Sequence, residues 1–285
     1  MIDSVKIIEC PRDAMQGIKS HFIPTEAKAK YINSLLKVGF DTIDFGSFVS
    51  PKAIPQMRDT AEVLSKLDLS TTKSKLLAIV ANVRGANDAS QFEEIDYLGY
   101  PFSISENFQM RNTHKTIDQS IDTLKEVLAI AGRTNKEVVA YLSMGFGNPY
   151  GDPWSVEIVG EWTEKLSNLG VKILSLSDTV GSSTPKDIDY LFSNLIPSYP
   201  QIEFGAHLHT TPTKWHEKVD AAFKAGCHRF DGAIKGYGGC PMAKDDLTGN
   251  MPTEKLLSYF TANKVTTNIK PMSFESAYNK ALEVF

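Results

Sequence analysis

Ile173-Leu174-Ser175-Leu176-Ser177-Asp178, then an amphipathic stretch over residues 186–195, then Ile202-Glu203-Phe204-Gly205-Ala206-His207-Leu208-His209, is one full repeat of the pattern that decides the fold. Two short apolar runs of strand length flank a segment whose apolar residues recur every three to four positions. A connection long enough to hold a helix lets the two strands lie parallel, as in a strand–helix–strand unit. The unit recurs outward in both directions. Strand-like segments fall at 5–10, 42–48, 75–81, 97–104, 137–144, 173–178, 202–209 and 229–234. Helical candidates fall at 26–38, 116–131, 156–169, 186–195, 214–224 and 253–260, with a further short helix in the tail over 273–285. Gly39, Gly170 and Gly226 stand where helices should end. Eight strands alternating with helices predict an α/β fold, a closed (β/α)8 TIM barrel. Its usual length of roughly 250 residues fits one domain over 1–285. No Gly-x-Gly-x-x-Gly turn follows the first strand, which argues against a dinucleotide-binding open sheet.

Composition narrows the partners. A net charge of -4 gives no electrostatic reason to expect nucleic acid or an anionic membrane. No run of about 18 apolar residues is present, so no membrane span is expected. Three cysteines without paired spacing do not make a disulfide framework. With no basic and then apolar leader at Met1, the expectation is a cytoplasmic protein. An organelle matrix stays open, since a targeting segment can lie outside the sequence.

Barrel enzymes carry their chemistry at the C-terminal ends of strands, which gives each polar cluster a positional test. His207 and His209 lie two apart at the end of the seventh strand, so both point to one face. Two imidazoles at a barrel mouth suit a metal, although packing or solvent exposure would also explain them. Arg12 and Asp13 follow the first strand. Glu9 is an alternative inward carboxylate there, needing Arg12 or an ion as its partner. Asp44 and Ser47 belong to the second strand, Tyr141 to the fifth, and Asp178 and Thr179 to the end of the sixth. Lys235-Gly236-Tyr237-Gly238-Gly239-Cys240-Pro241 follows the eighth, a glycine-rich loop with one thiol. Asn250 precedes the last barrel helix.

The motifs Glu9-Cys10-Pro11-Arg12-Asp13-Ala14-Met15-Gln16, Ser47-Phe48-Val49-Ser50-Pro51-Lys52, Pro55-Gln56-Met57, Ser177-Asp178-Thr179-Val180-Gly181, His207-Leu208-His209 and Gly238-Gly239-Cys240-Pro241 occur in this order along nearly the whole chain. In these the sequence resembles the 3-hydroxy-3-methylglutaryl-CoA lyase family of metal-dependent barrels, which also include condensing synthases. Ser105, Glu106, Phe108 and Asn112 match a further family segment. The resemblance implies cleavage of an acyl-CoA substrate to acetyl-CoA and acetoacetate by a metal-assisted retro-Claisen reaction, and a homodimer. It implies a divalent cation, Mg²⁺ or Mn²⁺, on Asp13, His207, His209 and Asn250. It makes Arg12 the stabiliser of the enolate and Cys240 the acid on a mobile loop. It leaves the base among His207, Asp13 and Asp44. Gln16, Ser47, Tyr141, Asp178, Thr179 and Glu254 are expected, with Arg12, to contact substrate.

The family's Arg-Asp-Gly reads Arg12-Asp13-Ala14 here. A positive φ at that position would make Ala cost about 1 kcal/mol. Gly17-Ile18 replaces a polar pair, Asp44 a glutamate, Thr210 the aspartate after the histidines, and Asn148 a second cysteine. Thr210 predicts that the imidazoles are oriented differently. The rival readings are a condensing synthase or aldolase of the same superfamily, and an acyl-CoA-binding paralogue with little turnover. The absence of a C-terminal regulatory domain favours the cleaving branch.

Overall fold

A computed structural model describes residues 4–239 and 248–285. In chain order the elements are β1 (Lys6–Glu9), α1 (Pro11–Gln16), α2 (Thr25–Leu36), β2 (Thr42–Ser47), α3 (Thr60–Leu64), β3 (Lys75–Ile79), α4 (Val83–Ala89), β4 (Tyr97–Ser103), α5 (Glu106–Thr113), α6 (Ile117–Arg133), β5 (Glu137–Ser143), α7 (Val156–Asn168), β6 (Ile173–Asp178), α8 (Pro185–Ser198), β7 (Glu203–Thr210), α9 (Trp215–Lys224), β8 (Arg229–Gly232), β9 (Gly249–Asn250), α10 (Thr253–Ala262) and α11 (Pro271–Ala281). Strands β1 to β8 pair in parallel, each with its neighbours in sequence, and β1 bonds to β8 to close the ring. This is the expected (β/α)8 barrel. The ninth strand is outside the ring. It runs antiparallel to the end of β7 and sets Asn250 opposite His209.

All eight expected strands are present, their ends moved by one or two residues. Helices α1, α3, α4 and α5 escaped the periodicity reading because they are short, five to eight residues, and cannot repeat an apolar stripe often enough to register. Local chemistry sets the longer ones. Thr116 and Gln119 form a reciprocal capping box at the start of α6, and Thr184 and Asp187 do the same for α8. Gly170 and Gly226 take φ of +102° and +95° just past α7 and α9, as helix ends favour.

Alternation along the strands creates two cores. One side of each strand packs against the helices, in a continuous cluster that includes Ile7, Ile43, Leu76, Leu98, Leu174 and Ala206. The other side fills the barrel, where Leu77, Ile79, Tyr97, Val139, Tyr141 and Ile173 form a separate small cluster. Along β2, β7 and β8 the apolar filling gives way to polar side chains. There the inward positions carry Asp44, His207, His209 and Asp231, and these make the floor of the mouth.

Candidate active site

Arg12 and Asp13 sit in the first turn of α1, directly after β1, with Pro11 supplying the fixed φ that starts a helix. Ala14 lies within this helix and has no positive φ, so the expected backbone penalty does not arise. Arg12 is buried. Its Nε donates to both oxygens of Asp44, at 3.1 and 3.0 Å, its Nη2 to Asp44 Oδ2 at 2.5 Å, and its Nη1 to Asp13 Oδ1 at 3.1 Å. The shorter side chain of Asp44 therefore still reaches the guanidinium with both oxygens. Burial raises the Asp44 carboxyl to about 6 despite Arg12. Burial also pushes Asp13 upward, but Arg12, the two imidazoles and Asn250 outweigh it, and Asp13 is held below its ordinary range.

One acidic oxygen of Asp13, one ring nitrogen of His207 and one of His209 lie within 4.8 Å of each other. His207 Nδ1 meets Asp231 Oδ2 at 3.0 Å, and His209 Nδ1 meets the Thr179 carbonyl at 2.9 Å. A carbonyl accepts only, so His209 carries its proton on Nδ1. Its Nε2 is buried and has no hydrogen-bond partner among the described residues. A buried, bare imidazole nitrogen beside a carboxylate is what a divalent cation requires, so these residues fit one. Asn250 joins them by donating to Asp13 Oδ2 at 2.7 Å and to the Tyr237 carbonyl at 2.8 Å. Gln16 donates to Asp13 Oδ1.

The two imidazoles titrate in opposite directions. Burial and repulsion from His207 push His209 down to about 4, so it is neutral. Burial acts against protonation of His207 too, but Asp231 and Asp13 overcome it and hold the ring above its ordinary value. Asp231, on the inward face of β8, was missed in the sequence. It lies two residues beyond Arg229 in a run that reads as an ordinary strand, and only the period-two alternation could have pointed to it. Asp231 does for His207 what the absent carboxylate at Thr210 was expected to do. The Thr210 hydroxyl bonds instead to the Thr211 carbonyl.

Other expected site residues are placed differently. Tyr141 does face inward, its ring edge-on to His207 at 5.5 Å. Asp178 does not, because β6 alternation turns it outward. It pairs with Lys218 at 2.6 Å and accepts from Ser183 N and Oγ. Thr179 contributes its carbonyl to His209, and its hydroxyl accepts from Met144 N at 3.1 Å. Asp178 is therefore corrected to a supporting role, and Thr179 supports His209 through its main-chain carbonyl. Glu9 also faces away from the barrel, accepting from Ile234 N at 2.9 Å and meeting the Thr253 hydroxyl at 2.6 Å. The Ser47 hydroxyl closes a local turn, bonded to Ile79 O and Val49 N. Glu254 caps the turn after β8 through Lys235 N at 3.0 Å. Asn148 holds its own loop through Tyr150 N and Asp152. Cys240 lies outside the described residues. The start of its loop has a clear constraint: Gly238 takes φ of +82°, and a Cβ there would lie 2.6 Å from the Asp13 carbonyl and 2.9 Å from Asn250 Nδ2. Only glycine lets this loop press onto the Asp13–Asn250 pair.

Residues 5–280 match the HMGL-like family profile. The chain belongs to the HMGL-like family. It is 33% identical to a hydroxymethylglutaryl-CoA lyase of Bacillus subtilis over 91% of this chain and 86% of that protein. The crystal structure of the B. subtilis HMG-CoA lyase superposes with a TM-score of 0.92 at 32% identity, covering 99% of this chain and 93% of that one. An HMG-CoA lyase from Acinetobacter baumannii, solved in complex with coenzyme A and 3-methylmalate, gives 0.89 at 29% identity, covering 99% and 91%. No helix among the described residues is long and apolar enough to cross a membrane.

Proposed function

We propose that this member of the family is a lyase that cleaves 3-hydroxy-3-methylglutaryl-CoA to acetyl-CoA and acetoacetate. The observation that carries the reading is the convergence of Asp13, His207 and His209 at the barrel mouth, with His209 Nε2 buried and bare. Asp13, His207, His209 and Asn250 would hold a divalent cation, and a mixed nitrogen and oxygen set suits Mg²⁺ or Mn²⁺. Such an ion, when bound, orients the substrate and lowers the pKa of its tertiary hydroxyl.

The chain's own residues account for the proton and charge movements. The hydroxyl proton must leave as the carbon–carbon bond breaks, with the bonding electrons passing to the enolate of acetyl-CoA. Asp44 has both oxygens bonded to Arg12, and both Asp13 oxygens accept hydrogen bonds. His207 alone is backed by a carboxylate able to stabilise an imidazolium, so we assign it the proton. Asp231 engages Nδ1, so only the Nε2 lone pair is left, and His207 takes the proton only while that nitrogen is not on the cation. Arg12, fixed by Asp44, is positioned to stabilise the enolate oxygen. Cys240, carried over by resemblance alone, would return a proton to the enolate carbon. Gln16 and Tyr141 remain candidates for substrate contact. Glu254, half-buried on α10, is a weaker one. The homodimer and the cytoplasmic setting rest on the sequence reading.

Acetyl-CoA release from 3-hydroxy-3-methylglutaryl-CoA is expected, abolished by EDTA and restored by Mg²⁺ or Mn²⁺. Condensation of acetyl-CoA with a 2-oxo acid in place of release would instead establish the synthase reading. Tight acyl-CoA binding without product would establish a paralogue that has lost turnover.

A further inference from the structure

We infer that Lys218 is a positioning residue for His209, acting through the backbone from the outer side of the barrel wall. The inference rests on the reading of His209 as a metal ligand.

Lys218 lies on α9 and is 1% exposed. An ammonium has three donors, and here each finds an acceptor: Asp178 Oδ2 at 2.6 Å, the His209 carbonyl at 2.8 Å and the Gly181 carbonyl at 3.1 Å. Asp178 and Gly181 bracket Thr179, whose carbonyl accepts the His209 Nδ1 proton. The turn is closed by Gly181 N bonding to the Asp178 carbonyl at 3.1 Å, and Ser183 tightens it from the far side. One ammonium thus clamps the backbone of the histidine to the turn that carries its ring's acceptor. The distance between the two is fixed, and so is the ring.

The arrangement explains why the sequence can dispense with an acidic residue at 210. His209 is oriented from the outer side, through Lys218 and the Thr179 carbonyl. A lysine fully buried behind a barrel strand is costly to desolvate, and an ion pair of this kind is weak evidence for stability. Its geometry gives it a more specific task.

The test uses the full chain in three forms beside wild type. Lys218→Met removes the clamp but leaves Asp178 a buried, unpaired charge, so Lys218→Met/Asp178→Asn is included as the form expected to fold. Lys28→Met/Asp59→Asn is the control, a buried ion pair at 2.7 Å that touches neither histidine. Two quantities are read: Mn²⁺ affinity by electron paramagnetic resonance, and the His209 tautomer by nitrogen NMR in metal-free protein. The Lys218 double variant is expected to bind Mn²⁺ about tenfold or more weakly and to gain the Nε2-protonated tautomer, while the control changes neither. Unchanged affinity and tautomer in the folded Lys218 double variant would overturn the inference, as would an equal loss in the Lys28 control. Wild-type protein that took up no Mn²⁺ would overturn the metal reading itself. The tautomer measurement, made without metal, would still judge whether Lys218 sets the ring.

Discussion

His207 and His209 share a strand, a face and a ring-to-ring distance of 5.2 Å, yet they are supported from opposite sides by different chemistry. His207 leans on Asp231, a charged group inside the barrel, and is held basic. His209 leans on a backbone carbonyl beyond the strand end, which Lys218 secures, and is held neutral. A carboxylate partner stabilises a protonated ring, whereas a carbonyl partner mainly fixes which nitrogen is bare. Two identical residues in a His-x-His motif are therefore prepared for different work. His209 is suited to hold a cation, and His207 to accept a proton.

The largest expected effect breaks the pair directly. His207→Ala should lower kcat by roughly 10²–10⁴, as removal of a general base does, and excess Mn²⁺ should not restore it. His209→Ala should instead raise the Mn²⁺ concentration needed, with part of the turnover recovered when the metal is in excess. Steady-state rates measured across a Mn²⁺ series distinguish the two. Identical losses with identical metal dependence would show that the two rings do the same job.

Asp231→Asn comes next. The amide can still occupy the space but cannot stabilise an imidazolium, so turnover should fall by roughly 10–100-fold, the usual range for a partner behind a ligand. The loss should appear in kcat more than in Mn²⁺ affinity. The reverse division would place Asp231 with the metal instead of with the base.

The comparison also marks what could be read from the sequence. The barrel was legible because eight apolar runs and the helical segments between them repeat a physical pattern. The His207/His209 pair was legible because both stand at a strand end, and Asp13 joined it through the family resemblance. What supports these residues was not. Asp178 was expected in the mouth because it too ends a strand, but one step of alternation turns it outward to Lys218. Glu9 differs from its neighbour Cys10 in the same way, bonded beneath α10 while the thiol faces the barrel floor near His207 and Asp231. Facing is set by register, and a sequence without strand pairing leaves register free by one residue. Asp231 lies 24 residues from His207 and Lys218 40 from Asp178, and an ordinary strand and an ordinary helix conceal them.

Thr179→Ala sharpens the contrast with a smaller effect. The acceptor for His209 is the main-chain carbonyl, which the substitution keeps. Only the hydroxyl that accepts from Met144 N is lost, a change of about 0.5–1.5 kcal/mol in stability. Activity and Mn²⁺ affinity should stay within a few-fold of wild type. A loss as large as that of Asp231→Asn would mean that the side chain itself contacts substrate, as the sequence first suggested.

Glu9→Gln should affect turnover least and pH-dependent stability most. Burial raises the Glu9 carboxyl from its ordinary 4.5 to about 8, against the hydrogen bonds from Thr253 and Ile234, and Glu254 adds repulsion. Between those two values the folded chain holds a proton that the unfolded chain has released. The folded state then binds more protons, so stability is greatest below the window, falls as pH rises through it and levels off above it. Glutamine reproduces the protonated acid: its oxygen can accept from Ile234 N and its amide can donate to the Thr253 hydroxyl. Urea unfolding at the acidic end of the window should find the two proteins alike. Above the alkaline end the variant should be the more stable, with the lysis rate unchanged. Parallel stability curves would mean that Glu9 is ionised in the fold, and a lost rate would return it to the barrel mouth beside Arg12.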